Sequence, residues 1–173
     1  MKKNLKLVAL LFLSATLVIT ACSKNNENGT STLNVRLTDA PASYTEVNVD
    51  IKEVRVKFED DSTDNGWQTL TTNAGIYNLL AFQNGVDTLL ATGTVSTGIV
   101  KQIRFVLGMN NTVLVDGVVY PLTVPSGAES GLKIKINKDI RQPLETLVID
   151  FDAALSIKEE NDGYKLRPVL KVK

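Results

Sequence analysis

Residues 147–157 have the sequence LVIDFDAALSI, and this stretch decides the fold. Its apolar side chains occupy successive odd-numbered positions: Leu147, Ile149, Phe151, Ala153, Leu155 and Ile157. Successive side chains of a β-strand point to opposite faces, so a period of two predicts one long, half-buried strand. The same alternation recurs at 33–37 and 132–136, and nothing comparable is present at helical spacing. The chain is therefore predicted to be all-β.

Segment 47–58 predicts an irregular strand. Its apolar residues hold odd positions as far as Ile51 and even positions from Val54 onward. A slip of one residue would turn the apolar set toward water, so an extra residue must be absorbed between them. We expect a β-bulge near Lys52 and Glu53, or a strand that crosses between sheets at this point.

Asp116–Gly117 predicts a hairpin, because both central residues of a type I′ turn need positive φ. A two-residue turn here would pair Val115 with Val118 and Val113 with Tyr120. All of these apolar side chains would then share one face of the hairpin.

Asp162–Gly163 predicts a second hairpin by the same chemistry. Its register would set Ile157 opposite Pro168 and Asp152 opposite Lys173. Proline cannot donate to a ladder, so the last strand is predicted at a sheet edge.

The pattern as a whole favours one domain over residues 32–173. About nine to eleven strands, with turn signals roughly every 8–12 residues, are typical of a β-sandwich. We predict an antiparallel sandwich of the immunoglobulin-like or transthyretin-like kind. Residues 76–82 and 88–91 could each form a strand or a short helix.

The first residues predict export. Lysines at positions 2, 3 and 6 precede an apolar run at 7–19 that is too short to cross a bilayer. The run ends in ITAC at 19–22, which resembles the lipobox of bacterial lipoproteins. In that family the Cys sulfur receives a diacylglyceryl group, the peptidase cuts before the Cys, and the new amine is acylated. The resemblance implies a signal peptide at 1–21 and fatty acids such as palmitate on Cys22.

Segment 22–31 begins with that Cys and continues with polar residues, which predict a short flexible tether. Ser23 is not the Asp that favours inner-membrane retention in enteric lipoproteins, so we expect the outer membrane, on either its periplasmic or its surface face. Loss of 1–21 leaves 16 basic against 19 acidic side chains. Such a chain has no electrostatic basis for binding nucleic acid, and lipid rather than charge would hold it at the membrane.

Composition argues against catalysis. The chain has no His and a single Cys, which excludes Ser-His and Cys-His dyads, His-bearing zinc sites and intrachain disulfides. Ser130 stands in GAESG, which misses the spacing of a nucleophile elbow. We expect no catalytic residue, no metal ligand set and no cofactor.

Two groups of acidic residues could be functional, but a structural role is favoured for each. Loop 59–66 has oxygen ligands at the first, third and fifth positions of a calcium loop, but Thr72 stands where the bidentate Glu belongs, so a solvated hairpin loop is favoured. Asp150 and Asp152 share one face of a strand, as the carboxylates of a glycosidase might. The predicted register gives Asp152 a Lys173 partner, which favours a structural ion pair.

Five residues are candidates for binding. Asp39, Asn110 and Asn111 lie in polar segments at strand ends, where a rigid sheet would hold a ligand or cation site. All three are also favoured turn formers, and turns are the preferred interpretation. Tyr44 and Trp67 lie near strand ends and could stack on sugar rings, although such rings more often cap a core.

Several segments in order resemble a known family. These are LTDAP at 37–41, VNVDIKEVRV at 47–56, YNLL at 77–80, IRFVLGMNN at 103–111, PSGAESGLK at 125–133, IDFDAALSI at 149–157 and GYKLRPVLKV at 163–172. Together they are similar to the domain of unknown function 4382 family, found on bacterial lipoproteins, over residues 31–173. The resemblance implies an extracytoplasmic β-sandwich without an established activity or known catalytic residues.

Three functions follow as hypotheses. The first is a lipid-anchored binding or adhesion module for a glycan or a protein of the cell envelope. The second is a structural or accessory lipoprotein of an envelope complex, using an exposed sheet edge. The third is a hydrolase that works with carboxylates alone. The binding module is preferred, on analogy of fold rather than on a site.

Overall fold

The computed structural model describes residues 29–125, 131–160 and 163–173. Within these ranges the regular secondary structure is mostly strand, with a 3-10 helix at Leu79–Phe82 and one α-helical turn, α1, at Ala153–Ser156. The strands in chain order are β1 (Thr30–Thr38), β2 (Glu46–Lys57), β3 (Gln68–Thr69), β4 (Thr71–Thr72), β5 (Gly75–Asn78), β6 (Thr88–Ser96), β7 (Gly98–Leu107), β8 (Thr112–Val115), β9 (Val118–Thr123), β10 (Leu132–Ile140), β11 (Leu144–Phe151), β12 (Ile157–Glu160), β13 (Gly163–Leu166) and β14 (Leu170–Val172).

These strands form two sheets that enclose one apolar core. The smaller, five-stranded sheet has the order β14-β11-β1-β6-β4. The larger, nine-stranded sheet follows β10-β7-β2-β8-β9-β13-β12, and β3 and β5 also pair with β2. Alternate side chains of both sheets, such as Leu37, Ile51, Phe105 and Phe151, have no exposed surface. The predicted β-sandwich is confirmed.

The sheets are mixed rather than purely antiparallel, which corrects the prediction. β1 runs parallel to β11, and β13 runs parallel to β9. Turn chemistry fixes the direction only of neighbours joined by a hairpin, and these pairs come from distant parts of the chain. The described residues also hold fourteen strands rather than nine to eleven, because β3, β4 and β14 are too short to show an alternation.

Two local predictions are confirmed. The register between β2 and β7 shifts between Ile51 and Glu53, which is the predicted bulge. Asp116 and Gly117 both have positive φ, 49° and 79°. The β8–β9 hairpin has the predicted register, with Val115 opposite Val118 and Val113 opposite Tyr120.

The long strand predicted over 147–157 is interrupted. β11 ends at Phe151, and the Asp152 side chain accepts a hydrogen bond from the Leu155 N–H at 3.0 Å, which caps helix α1. An N-cap carboxylate competes with the strand by offering the backbone a helical alternative. Leu155 is consequently 47% exposed instead of buried, and the helical turn carries the chain from the smaller sheet to the larger one.

The register predicted for the last hairpin is wrong. Ile157 lies opposite Leu166 rather than Pro168, because Pro168 falls between β13 and β14 and belongs to neither strand. The chain crosses back to the smaller sheet there, and β14 pairs with β11. Its predicted place at a sheet edge is confirmed. Of the predicted turn residues, Asp162 lies outside the described residues.

Candidate functional site

The strand directions give the sandwich two distinct ends. At the first, Gly29 precedes β1 and its carbonyl accepts a hydrogen bond from the Thr97 N–H at 2.8 Å. We call this the tether end. At the opposite, far end, β2 begins with Glu46 opposite Leu114, next to the β8–β9 turn. The twelve residues of β2 separate the two ends by roughly 35–40 Å, at about 3.3 Å per residue.

Asp39 follows β1 and is buried among structural partners. Its carboxylate accepts hydrogen bonds from the Ala153 N–H at 2.9 Å and from the Gln83 amide at 3.0 Å. Burial raises the pKa of Asp39 above its usual 3.8, the two hydrogen bonds oppose that shift, and the charges of Asp150 and Asp152 add to it. The side chain joins β1 to α1 and to the loop after the 3-10 helix, which supports the turn interpretation.

This burial predicts a pH-dependent stability. Because the pKa of Asp39 is higher in the folded than in the unfolded protein, its contribution is present at low pH and is lost as pH rises from about 3.8 through the folded-state pKa. Denaturant melts should therefore show that Asp39→Asn, relative to wild type, gains stability across this window. Asp39→Ala should lower the free energy of unfolding by about 0.5–2 kcal/mol at neutral pH, since two donors lose their acceptor.

Asp139→Ala is the matched control, because that carboxylate is exposed and pairs with the exposed Arg141. An Asp39→Ala midpoint equal to that of the control would reject the structural role and return Asp39 to the binding candidates.

Asn110 and Asn111 lie together, but around Asp50 rather than around Asp39. The Asn111 side-chain oxygen accepts from the Asp50 N–H at 2.9 Å, and its amide donates to the Gly108 carbonyl at 2.8 Å. The Asn110 amide donates to the buried Asp50 carboxylate at 3.3 Å. A side chain at Gly108 would overlap that carboxylate, so the loop needs glycine there. Asn110 and Asn111 therefore contact Asp50, and these hydrogen bonds do not bring them together with Asp39 as the binding hypothesis expected.

Asp150 and Asp152 have separate structural partners. Asp152 caps α1 and pairs with Lys171 at 3.1 Å, not with the predicted Lys173. Lys173 instead pairs with Asp150 at 3.2 Å. The shift follows from the corrected pairing of β14 with β11. The preferred interpretation of ion pairs rather than a dyad is consistent with these contacts, although the partner predicted for Asp152 is wrong.

The acidic loop 59–66 folds back over the outer face of the larger sheet. Asp64 pairs with Arg104 at 2.6 Å and with Lys133 at 2.9 Å, and these hydrogen bonds lower its pKa to about 2. Asp61 pairs with Lys57, and Asp60 with Lys135 at 2.8 Å. Cations of the protein thus neutralise the carboxylates that a calcium ion would need as ligands, which supports the hairpin-loop interpretation.

Trp67 follows this loop and is covered by a cation. The guanidinium carbon of Arg104 lies 4.2 Å from the centroid of the indole ring, a cation–π geometry. That contact occupies a face of the ring which a sugar would need for stacking. Among the aromatic candidates, Trp67 therefore belongs to the acidic loop rather than to an open binding surface.

Tyr44 lies in a different group, at the far end. The rings of Tyr120 and Tyr164 are 5.0 Å apart between centroids, and Tyr44 lies within electrostatic range of Tyr164. Partial burial raises the pKa of Tyr164, and the nearby Glu159 carboxylate adds to that shift. Val118 is on the same face as Tyr120 and is 49% exposed. We call Tyr44, Val118, Tyr120 and Tyr164 the tyrosine patch.

The patch is a partly exposed continuation of the inner face of the larger sheet. Tyr120 lies opposite the fully buried Val113, and Tyr164 lies beside the buried Leu122, so both rings continue the inner face of the larger sheet. Tyr120 is 37% exposed, whereas Tyr44 and Tyr164 are partly buried against the core. Tyr120 and Tyr164 were not predicted as site residues. The signal available was an apolar run, VVY at 118–120, directly after a tight turn.

A cleft of about 460 Å³ opens between the sheets on another side. It is bounded by the edge strands β10 and β14. Apolar residues such as Ile134, Ile136 and Leu170 line it, and Lys135 and Lys171 add cationic ends.

Across 29–125, 131–160 and 163–173, no helix has the length and apolarity to span a membrane. In the same ranges, no group of three or more His, Cys, Asp or Glu side chains is arranged to hold a metal ion. Cys22 and Ser130 lie outside the described residues.

A protein-family model described as Domain of unknown function (DUF4382) matches residues 30–168. This match confirms the resemblance found in the sequence motifs. No curated protein and no solved structure matches the chain.

Proposed function

The chain belongs to the family described as Domain of unknown function (DUF4382), and from its geometry we propose that it is a non-catalytic binding module held at the cell envelope by lipid on Cys22. The anchor would be embedded in the outer membrane, and the residues from Cys22 to Gly29 would link it to the sandwich, because β1 already begins at Thr30. Multiple acyl chains give durable attachment where one chain is marginal.

The single observation that carries this proposal is the placement of the tyrosine patch. The described chain begins with Gly29 at the tether end, whereas the patch lies at the far end. A short tether at one end would keep that end near the lipid and present the patch away from it. Exposed aromatic side chains beside a rigid sheet are typical of recognition surfaces.

The chemistry of the patch favours a glycan as the ligand. Tyrosine rings offer apolar faces to the C–H groups of a sugar, and their hydroxyls can donate and accept hydrogen bonds. Glu159 lies opposite Tyr164 in the β12–β13 ladder, and Asp116 is also within electrostatic range of that ring. Carboxylates of this kind accept hydrogen bonds from sugar hydroxyls.

The proposal includes no catalysis. The carboxylates of Asp150 and Asp152 are each paired with a lysine, and Asp152 also caps a helix. A glycosidase needs one carboxyl group free to donate a proton and another free to act as base or nucleophile. Carboxylates with such structural partners do not suit either role.

A second candidate function is that of an accessory lipoprotein in an envelope complex. The cleft between β10 and β14 favours it, because both strands are sheet edges with backbone groups that an extended segment could pair with. In this alternative a partner's strand, rather than a glycan, would be the ligand.

Affinity electrophoresis tests the glycan proposal. Polysaccharide fractions extracted from the source bacterium are cast into native gels, and the mobility of the purified full chain is measured against their concentration. We expect retardation of the wild type and about tenfold weaker binding for Tyr120→Ser, the change that about 1.4 kcal/mol would give.

Ile76→Ser is the matched control, because Ile76 is an exposed apolar residue on β5, outside the patch. Equal retardation of Tyr120→Ser and wild type, or no retardation by any fraction, would reject the glycan proposal.

A further inference from the structure

The outer face of the larger sheet carries a group of cations. Paired positions on β2, β7 and β10 bring together Arg55, Lys57, Arg104, Lys133 and Lys135. We call these five residues the cationic face. Like charges on adjacent strands repel each other, so such a face needs anions to balance it.

Glu53 pairs with Arg55, and the acidic loop supplies the anions for the other four cations. The Gln102 amide donates to the carbonyls of Glu59 at 3.2 Å and Asp61 at 2.8 Å, which holds the loop against the sheet. Asp64 then reaches Arg104 and Lys133. Under this cover, the Arg104 side chain is only 5% exposed, whereas that of Asp64 is 69% exposed.

The site has donors that the loop does not use. The Arg104 Nε–H and the Trp67 Nε1–H are both buried and have no acceptor among the described residues. A buried N–H without a partner is costly, and a buried guanidinium requires a paired anion. Asp64 accepts a hydrogen bond from the guanidinium through one oxygen, and the donor is the terminal nitrogen Nη2. A ligand with several oxygens could satisfy more of these donors.

We infer that Arg104, Lys133 and Trp67 form an oxyanion-binding site in which the Asp64 carboxylate takes the place of an external ligand. The ligand class is an acidic polysaccharide, whose sulfate, phosphate or carboxylate group would displace Asp64. Guanidinium groups recognise such oxyanions through parallel N–H donors.

A polymer fits this site better than a free ion. Asp64 is attached to the same chain and therefore competes at a high effective concentration. Asp60 and Asp61 form similar pairs with Lys135 and Lys57, so several anionic groups would be needed to displace the whole loop. A polyanion brings those groups together. The site is on the outer face of the larger sheet and is independent of the tyrosine patch.

Trp67 makes the inference measurable, because it is the only tryptophan of the chain. Its fluorescence in the purified full chain is followed while sodium sulfate or dextran sulfate is added at constant ionic strength. Asp64→Asn should show a saturable change with sulfate, at a concentration at least tenfold below that needed by the wild type. Dextran sulfate should give the change in both proteins, whereas binding of sulfate but not of the polymer would reject the polysaccharide as ligand.

Two further variants separate a site from a structural ion pair. Asp139→Asn removes an exposed carboxylate elsewhere and should respond like the wild type. Lys133→Met combined with Asp64→Asn should weaken sulfate binding at least tenfold, and Lys133 is exposed enough for the variant to fold. The inference is overturned if Asp64→Asn shows no saturable response, or if the double variant binds as well as Asp64→Asn.

Discussion

Replacing Phe151 with alanine lowers the free energy of unfolding by about 3–5 kcal/mol, the usual cost of removing a buried aromatic side chain. Phe151 ends β11 and has no exposed surface. Leu155 belongs to the same alternating apolar pattern as Phe151, but helix α1 turns the Leu155 side chain outward. We therefore expect Leu155→Ala to cost less than about 1 kcal/mol.

Denaturant unfolding of both variants measures the contrast directly. The m-values should match that of the wild type, so that the change lies in stability and not in the compactness of either state. Equal losses in the free energy of unfolding for Phe151→Ala and Leu155→Ala would contradict helix α1. They would mean that the strand continues through 153–156, as the alternation alone predicts.

Cys22→Ala should abolish lipid attachment. Metabolic labelling with a palmitate analogue should mark the wild type and leave Cys22→Ala unlabelled, because the sulfur that accepts the diacylglyceryl group is gone. Without that step the signal peptide at 1–21 should also remain uncleaved, which gives a heavier band on a denaturing gel.

Ser23→Ala is the neighbouring control and should be labelled and cleaved normally. Label that persists in Cys22→Ala would end the lipoprotein proposal, while leaving the β-sandwich and the tyrosine patch unaffected.

Apolar alternation and turn chemistry correctly predicted local features, which depend on residues close together in the sequence. The bulge after Ile51 and the hairpin at Asp116–Gly117 follow from side-chain parity and from positive φ, and both are confirmed. The apolar pattern did not predict the break after Phe151, because one hydrogen bond, donated by the Leu155 N–H to the Asp152 side chain, outweighs a regular alternation.

The candidate sites were harder to predict, because they depend on contacts between distant residues. The sequence marked Tyr44 but not Tyr120 or Tyr164, since these two rings meet only through the pairing of β9 with β13, which are distant in the sequence. Trp67 was a candidate for stacking on sugar, with capping of the core as the preferred alternative, and neither expectation included Arg104, which covers the ring from a distant strand. Asp39 was a turn former in sequence and is a buried link between elements in the structure.

Site-specific photo-crosslinking tests the central claim most directly. A benzophenone amino acid is introduced at Val118, in the tyrosine patch, or at Ile99, an exposed apolar residue near the tether end. Both variants are expressed as full chains and irradiated in intact cells, and adducts are separated on gels stained for glycan and for protein. A binding module that presents its far end predicts glycan-staining adducts at position 118 and few at position 99. Adducts confined to position 99, or no adducts at position 118, would contradict it.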